Sequence, residues 1–202
     1  MHENQRKAQL DSWFDELIRA LDNRSVFINQ SDDPVFFLVY PPLWSVTVYS
    51  MLPEWGAKLR HRSWMPEEYN VGLAVLDYLR DHPDRSTVVE FERENPQEIS
   101  DVNRSLDEFL LSDGGYVVEQ WVLDRIESLS GTPNGLLILS GIELLHPHLQ
   151  IGRVEQRLQG RFRVPTIVLY PGMRTGSFGL RFLGFYPPDG TYRSRHIGGT
   201  RA

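Results

Sequence analysis

Three strand-length apolar runs constrain this chain more than any other feature. They are Val35–Tyr40 (VFFLVY), Gly135–Leu139 (GLLIL) and Val164–Tyr170 (VPTIVLY). None alternates apolar with polar residues, so each reads as a strand covered on both faces, the signature of a parallel sheet buried between helices. The segments between them supply the helices. Leu10, Trp13, Phe14, Leu17, Ile18 and Leu21 recur at helical spacing and form one apolar stripe. Trp44, Val48, Met51, Leu52, Trp55 and Leu59 mark a second helical region, with Pro53 expected to kink or restart it. Ile99, Val102, Leu106, Phe109 and Leu110 line another helix. Val117, Val118, Trp121, Ile126 and Leu129 line the next, with Asp113-Gly114-Gly115 as the turn between them. A short helix around Ile151, Val154 and Leu158 precedes the VPTIVLY run.

Three further elements complete the expectation. Pro66 followed by Glu67-Glu68 reads as the first turn of a helix reaching about Arg80. Ser86–Glu92 (STVVEFE) reads as a strand, and Ser177–Tyr186 as another. Strands alternating with helices predict an α/β fold, a single domain with a mostly parallel central sheet of about five strands flanked by helices. At 202 residues, 41% hydrophobic and 24% charged, the chain has the core for one such domain and is neither disordered nor fibrous. Residues 1–33 are expected to form the N-terminal helix and lead-in, and 196–202 a tail. The polar N-terminus and the lack of any apolar run near the ~18 residues of a membrane span point to a cytoplasmic protein.

Much chemistry is excluded by residue type. Cysteine is absent, which removes disulfides, thiolate catalysis and cysteine-ligated metals. The layout is that of a P-loop NTPase without its nucleotide motifs, since neither GxGxxG nor GxxxxGK[ST] occurs. Ser177 in Gly176-Ser177-Phe178-Gly179 is not a GxSxG nucleophile elbow. Glu90 and Glu92 would share one side of the expected STVVEFE strand, as a solvated face. His146-Pro147-His148 lacks the i, i+4 spacing of helical metal sites and reads as a turn with one ring packed and one exposed. No catalytic set, cofactor or metal site emerges.

The charge is unevenly placed. Residues 66–128 hold sixteen acids against five bases, whereas 150–202 hold nine arginines and only Glu155 and Asp189 as acids. A net charge of −6 argues against generic nucleic-acid binding, while the Arg-rich end could still hold an acidic partner; the plain alternative is solvated helix faces in the middle and ordinary surface arginines at the end.

The C-terminal third carries ordered motifs. A buried strand runs into Ser140-Gly141 and then Leu144-Leu145-His146-Pro147. Val164-Pro165-Thr166-Ile167-Val168-Leu169-Tyr170 runs into an expected Pro171-Gly172 turn. Leu180-Arg181-Phe182, Gly184 and Tyr192-Arg193 follow. This series resembles the BrxB family of bacteriophage-exclusion (BREX) defence systems over residues 135–195, while the first two thirds match in layout. The chain departs from the family pattern at Met173-Arg174-Thr175-Gly176, where an acidic stretch is usual, and at Tyr192-Arg193-Ser194-Arg195-His196, which lacks the usual Ala-Phe. The resemblance implies a non-catalytic adaptor or scaffold. Its expected partners are a PglZ-like alkaline-phosphatase-superfamily protein and, with it, a PglX-like DNA methyltransferase and a BrxC-like ATPase. His146, Tyr170, Gly172, Arg174, Arg181, Tyr192 and Arg193 are the candidate partner- or ligand-binding residues. The alternatives are a phosphate- or nucleotide-binding enzyme using His146, Tyr170, Arg174 and Arg193 at the strand ends, and a DNA-contacting subunit using the Arg-rich end.

Overall fold

A computed structural model describes residues 2–23, 33–112, 115–176, 179–187 and 194–199. Five parallel strands form its centre, in the order β2-β5-β6-β1-β8: β1 Val35–Tyr40, β2 Met65–Asn70, β5 Gly135–Ser140, β6 Thr166–Thr175 and β8 Arg195–Gly198. β7 (Gly179–Phe182) pairs antiparallel with the far end of β6, and β3 (Leu111–Ser112) with β4 (Gly115–Tyr116) makes a separate small hairpin. Seven helices are described: α1 Glu3–Asp22, α2 Ser45–His61, α3 Val71–Asp81, α4 Arg85–Glu94, α5 Ile99–Leu110, α6 Val117–Ser130 and α7 Ile151–Arg157.

Strand alternation divides the buried side chains between two layers. Phe36, Leu38 and Tyr40 of β1 point to one face, with Leu136 and Ile138 of β5 and Ile167 and Leu169 of β6. There α1 and α2 cover them through Leu10, Phe14, Leu17, Val48, Trp55 and Leu59. Phe14 and Trp55 stack at 4.4 Å with planes 5° apart, fixing α1 on α2. Phe37, Val39, Leu137, Leu139, Val168 and Tyr170 point to the other face, beneath α3, α6 and α7. The unbroken apolar runs are therefore strands buried on both sides. α2 runs on through Pro53; the lost N–H at that position is tolerated because Val48, Met51, Trp55 and Leu59 are buried on either side of it.

Several expectations are corrected. Met65–Asn70 is strand β2, not helix, because it pairs in parallel register with β5 from Met65↔Gly135 to Asn70↔Ser140. It is an edge strand, where proline and glutamates are as well suited as in a first helical turn. The helix begins after it, with Asn70 Oδ1 accepting from the Leu73 N–H at 2.9 Å. The STVVEFE segment lies in helix α4, so Glu90 and Glu92 share no strand face; its β-branched residues favour a strand, but no sheet edge accepts it. Pro171-Gly172 is not a turn. β6 continues through it to Thr175, pairing first with β1 and then with β7. Gly172 permits this because a Cβ there would lie 2.5 Å from the Arg181 carbonyl. Of the expected strand 177–186, residues 179–182 form β7, while Ser177 and Phe178 lie outside the described residues. Residues 196–198, expected in the tail, belong to β8, paired with β1 from Phe36↔Arg195 to Val39↔Gly198. Asp113 and Gly114 of the expected turn lie outside the described residues; Gly115 opens β4.

Candidate functional site: the carboxyl ends of the strands

The connection from β1 to β2 runs through α2 on one face of the sheet, and those from β2 to β5 and from β5 to β6 run on the other. The exits of β1 and β5 therefore diverge across β6. At such a switch point, beyond the carboxyl ends of the strands, α/β proteins hold their ligands.

Here side chains of the chain itself close the crevice. Tyr49, one turn into α2, donates its hydroxyl to Glu143 Oε1 at 2.5 Å, and the Tyr49 hydroxyl oxygen accepts from the Gly141 N–H at 3.1 Å. Gly141 turns the chain sharply at φ +72°, and a Cβ there would lie 2.0 Å from Asn70 Oδ1. Only glycine fits. Ser140 Oγ donates to Glu68 Oε1 of β2 at 2.8 Å. Burial pushes the Tyr49 hydroxyl well above its usual range, and its hydrogen bond to Glu143 pushes it further. Burial does the same to Tyr40, with the Glu143 charge adding to it. Both phenols therefore stay protonated, and Tyr49 acts as a fixed donor.

Above this floor the connections end in exposed apolar side chains. Leu43 and Val46, after β1, are 89% and 83% exposed; Leu73, after β2, and Leu144, after β5, are also exposed. Three of them are linked through contacts of the residues beside them. Val46 lies one turn before Tyr49, which bonds Glu143; Leu144 follows Glu143 and sits against Gly72, beside Leu73. An exposed apolar rim of this kind excludes water from a protein–protein contact, while in the floor beneath it Glu143 Oε2 is buried without a hydrogen-bond partner.

The residues singled out from sequence fall elsewhere. His146 stacks on Phe182 at 4.0 Å and leans on Tyr186; with Tyr170 it lines a narrow cleft with room for a single water molecule. Tyr170 is buried, edge-on to Phe37 and Phe182. The expectation that one histidine of the pair is exposed is corrected: His148 Nδ1 lies 2.6 Å from Asp107 Oδ1 and its side chain is mostly buried. Gly172 is buried in the β6–β7 crossing. Arg174 lies along β6 beside Gly199 and, with burial the larger cause, its charge holds the His196 imidazole down at about 4. Arg181 is half-buried opposite Met173. Tyr192 and Arg193 lie outside the described residues. Sequence reasoning missed Tyr49 and Glu68. Glu143 was visible as the lone acid beside the His146–His148 turn, and Gly141 as the break after a buried strand.

Among the described residues no group of three or more His, Cys, Asp or Glu side chains is placed to hold a metal, and no helix is long and apolar enough to cross a membrane. No curated protein and no solved structure matches the chain. The family model described as BREX protein BrxB matches residues 67–197, close to two thirds of the sequence, from β2 to the end strand β8. The ordered strand-end motifs read from sequence lie within that span, and the chain belongs to the BrxB family, components of the BREX anti-phage defence system.

Proposed function

We propose that this BrxB protein is a non-catalytic adaptor of the BREX system that holds other defence proteins, acting in the cytoplasm. The observation that carries the reading is the switch point. Where an enzyme of this architecture keeps a polar ligand site, Leu43, Val46, Leu73 and Leu144 form an exposed rim over the Tyr49–Glu143–Gly141 network. Burying such side chains against a partner is favourable by about 25 cal/mol per Å² of apolar surface. The proposed primary partner is a PglZ-like protein, with a PglX-like methyltransferase and a BrxC-like ATPase reached through the same assembly. Arg174 and Arg181 extend the contact on the arginine-rich side, and Tyr192 and Arg193 are proposed as further partner-binding residues. His146, Tyr170 and Gly172 are proposed to assist there because all three meet Phe182, the residue after Arg181.

The test is co-expression of the tagged chain with the PglZ-like, PglX-like and BrxC-like proteins of its own operon. The expected result is retention of the PglZ-like protein by the wild-type chain and its loss in Leu43→Asp/Leu144→Asp, with unchanged circular dichroism. A wild-type chain that retains none of the three proteins refutes the reading.

A further inference from the structure

Helices α4 and α5 are folded without a core of their own. None of the residues of α4 is buried, and of α5 only Leu110 is. Ile99, Val102, Leu106 and Phe109 of α5 form an amphipathic stripe at spacings of three and four, yet neither side of the central sheet includes them in its core. Phe91 of α4 is 38% exposed and Ile99 65% exposed. The pair is moored at its ends, where Phe109 stacks on His82 at 3.8 Å and Asp107 meets His148. A ten-residue helix with nothing buried is not stable by its own hydrogen bonds, and Phe91 and Ile99 leave apolar surface of this layer uncovered.

The charge on the same layer says what completes it. Residues 84–110 carry eight carboxylates and three arginines, and Arg104 is already paired with Asp101. A nucleic acid, an anionic membrane and the same face of a second copy are all repelled by that surface. A cationic, apolar protein segment is attracted by it. We propose that the α4–α5 face is a docking site for a basic amphipathic helix of a partner protein, which lays leucine-type side chains along Phe91 and Ile99 while its lysines or arginines meet the flanking carboxylates. The proposal deepens the adaptor reading and rests on it only for the partner's being another BREX protein. The surface uses none of the rim residues.

The test uses the full chain and a fluorescein-labelled peptide of about 18 residues, leucine and lysine patterned at helical spacing, with a glutamate-for-lysine counterpart. The expected result is saturable binding of the lysine peptide and none of the glutamate peptide. Phe91→Asp and Ile99→Asp each weaken binding by about tenfold although they add negative charge, because apolar contact is lost. Both residues are exposed, so unchanged melting curves are expected for both variants, and Leu43→Asp leaves the titration unaltered. Equal or tighter binding by the aspartate variants means attraction by charge alone and overturns the proposal, as does no binding by the wild type. A chain that binds the lysine peptide but retains no BREX protein sinks the adaptor reading and leaves this face standing. One that retains a BREX protein but fails the titration does the reverse.

Discussion

Replacing Tyr49 by phenylalanine removes one oxygen and tests whether the switch point is closed by the chain itself. That oxygen donates to the Glu143 carboxylate at 2.5 Å and accepts from the Gly141 N–H at 3.1 Å, joining α2 to the loop after β5. A hydrogen bond to a charged group contributes about 1.5–3 kcal/mol and one to a backbone amide about 0.5–1.5 kcal/mol, so the expected loss is about 2–4.5 kcal/mol. For a domain of this length that lowers Tm by roughly 2–4 °C per kcal/mol. A second readout carries its own sign. The folded chain holds the Tyr49 proton, through burial and Glu143, which the unfolded chain releases near pH 10. Stability is therefore full below that pH and falls as pH rises above it. Tyr49→Phe falls less steeply, with Tyr40 and Tyr69, whose hydroxyls are also pushed up by burial, still contributing. Urea unfolding at pH 7 and at steps above pH 10 measures both effects. A variant within about 0.5 kcal/mol of wild type, with the same alkaline decline, refutes the reasoning.

Trp55→Ala is expected to cost about 3–5 kcal/mol by urea unfolding, since the fully buried ring stacks on Phe14 and its Nε1 donates to Asp11 at 3.2 Å. Glu155→Gln gains stability on the wild type as pH rises from about 4.5 through 7. Burial, with the Asp33 charge adding and Ser194 opposing, lifts the Glu155 carboxyl to about 7, so the wild type loses that contribution across the interval; a constant difference between the two proteins contradicts it. Proton NMR should find the His196 imidazole neutral at pH 6 with a midpoint near 4. Burial and then the Arg174 charge disfavour the cation, so the stability tied to His196 is present above about 6.5 and lost as pH falls through 4; an ordinary midpoint refutes that placement.

The parts of the fold legible in the sequence are those whose signal is internal to the segment. The runs at 35–40 and 135–139 could only be strands covered twice, and the stripes of α1, α5 and α6 carry their own period. The errors fall where a distant segment decides. Met65–Asn70 is a strand because β5 lies beside it, and its proline and glutamates alone point to a helix start. Residues 85–94 contain three β-branched side chains but find no strand neighbour, so Val88 and Phe91 take up helical spacing instead. Pro171-Gly172 has the composition of a turn and lies in a strand because β7 returns along it, which only a glycine at 172 allows.

The site was less legible than the fold for a related reason. Inspection of each strand end asks whether that segment alone carries a complete set of groups for chemistry, and Ser140, Gly141 and Glu143 after β5 make none by themselves. The polar groups that matter are brought together across long stretches of chain: Tyr49 and Glu143 are 94 residues apart, and Glu68 and Ser140 are 72 apart. No local pattern announces such pairs. Their arrangement also explains why motif reasoning found no chemistry at the strand ends. The Gly141 N–H is committed to the Tyr49 hydroxyl and the Glu143 carboxylate beside it repels an anion, so a phosphate bound there would break the contact that joins α2 to the loop after β5. Opening the crevice to a ligand thus opposes the fold that shapes it. Covering its apolar rim with a partner leaves that contact intact, and this asymmetry is what favours the proposed protein partner over an anionic ligand at this end of the sheet.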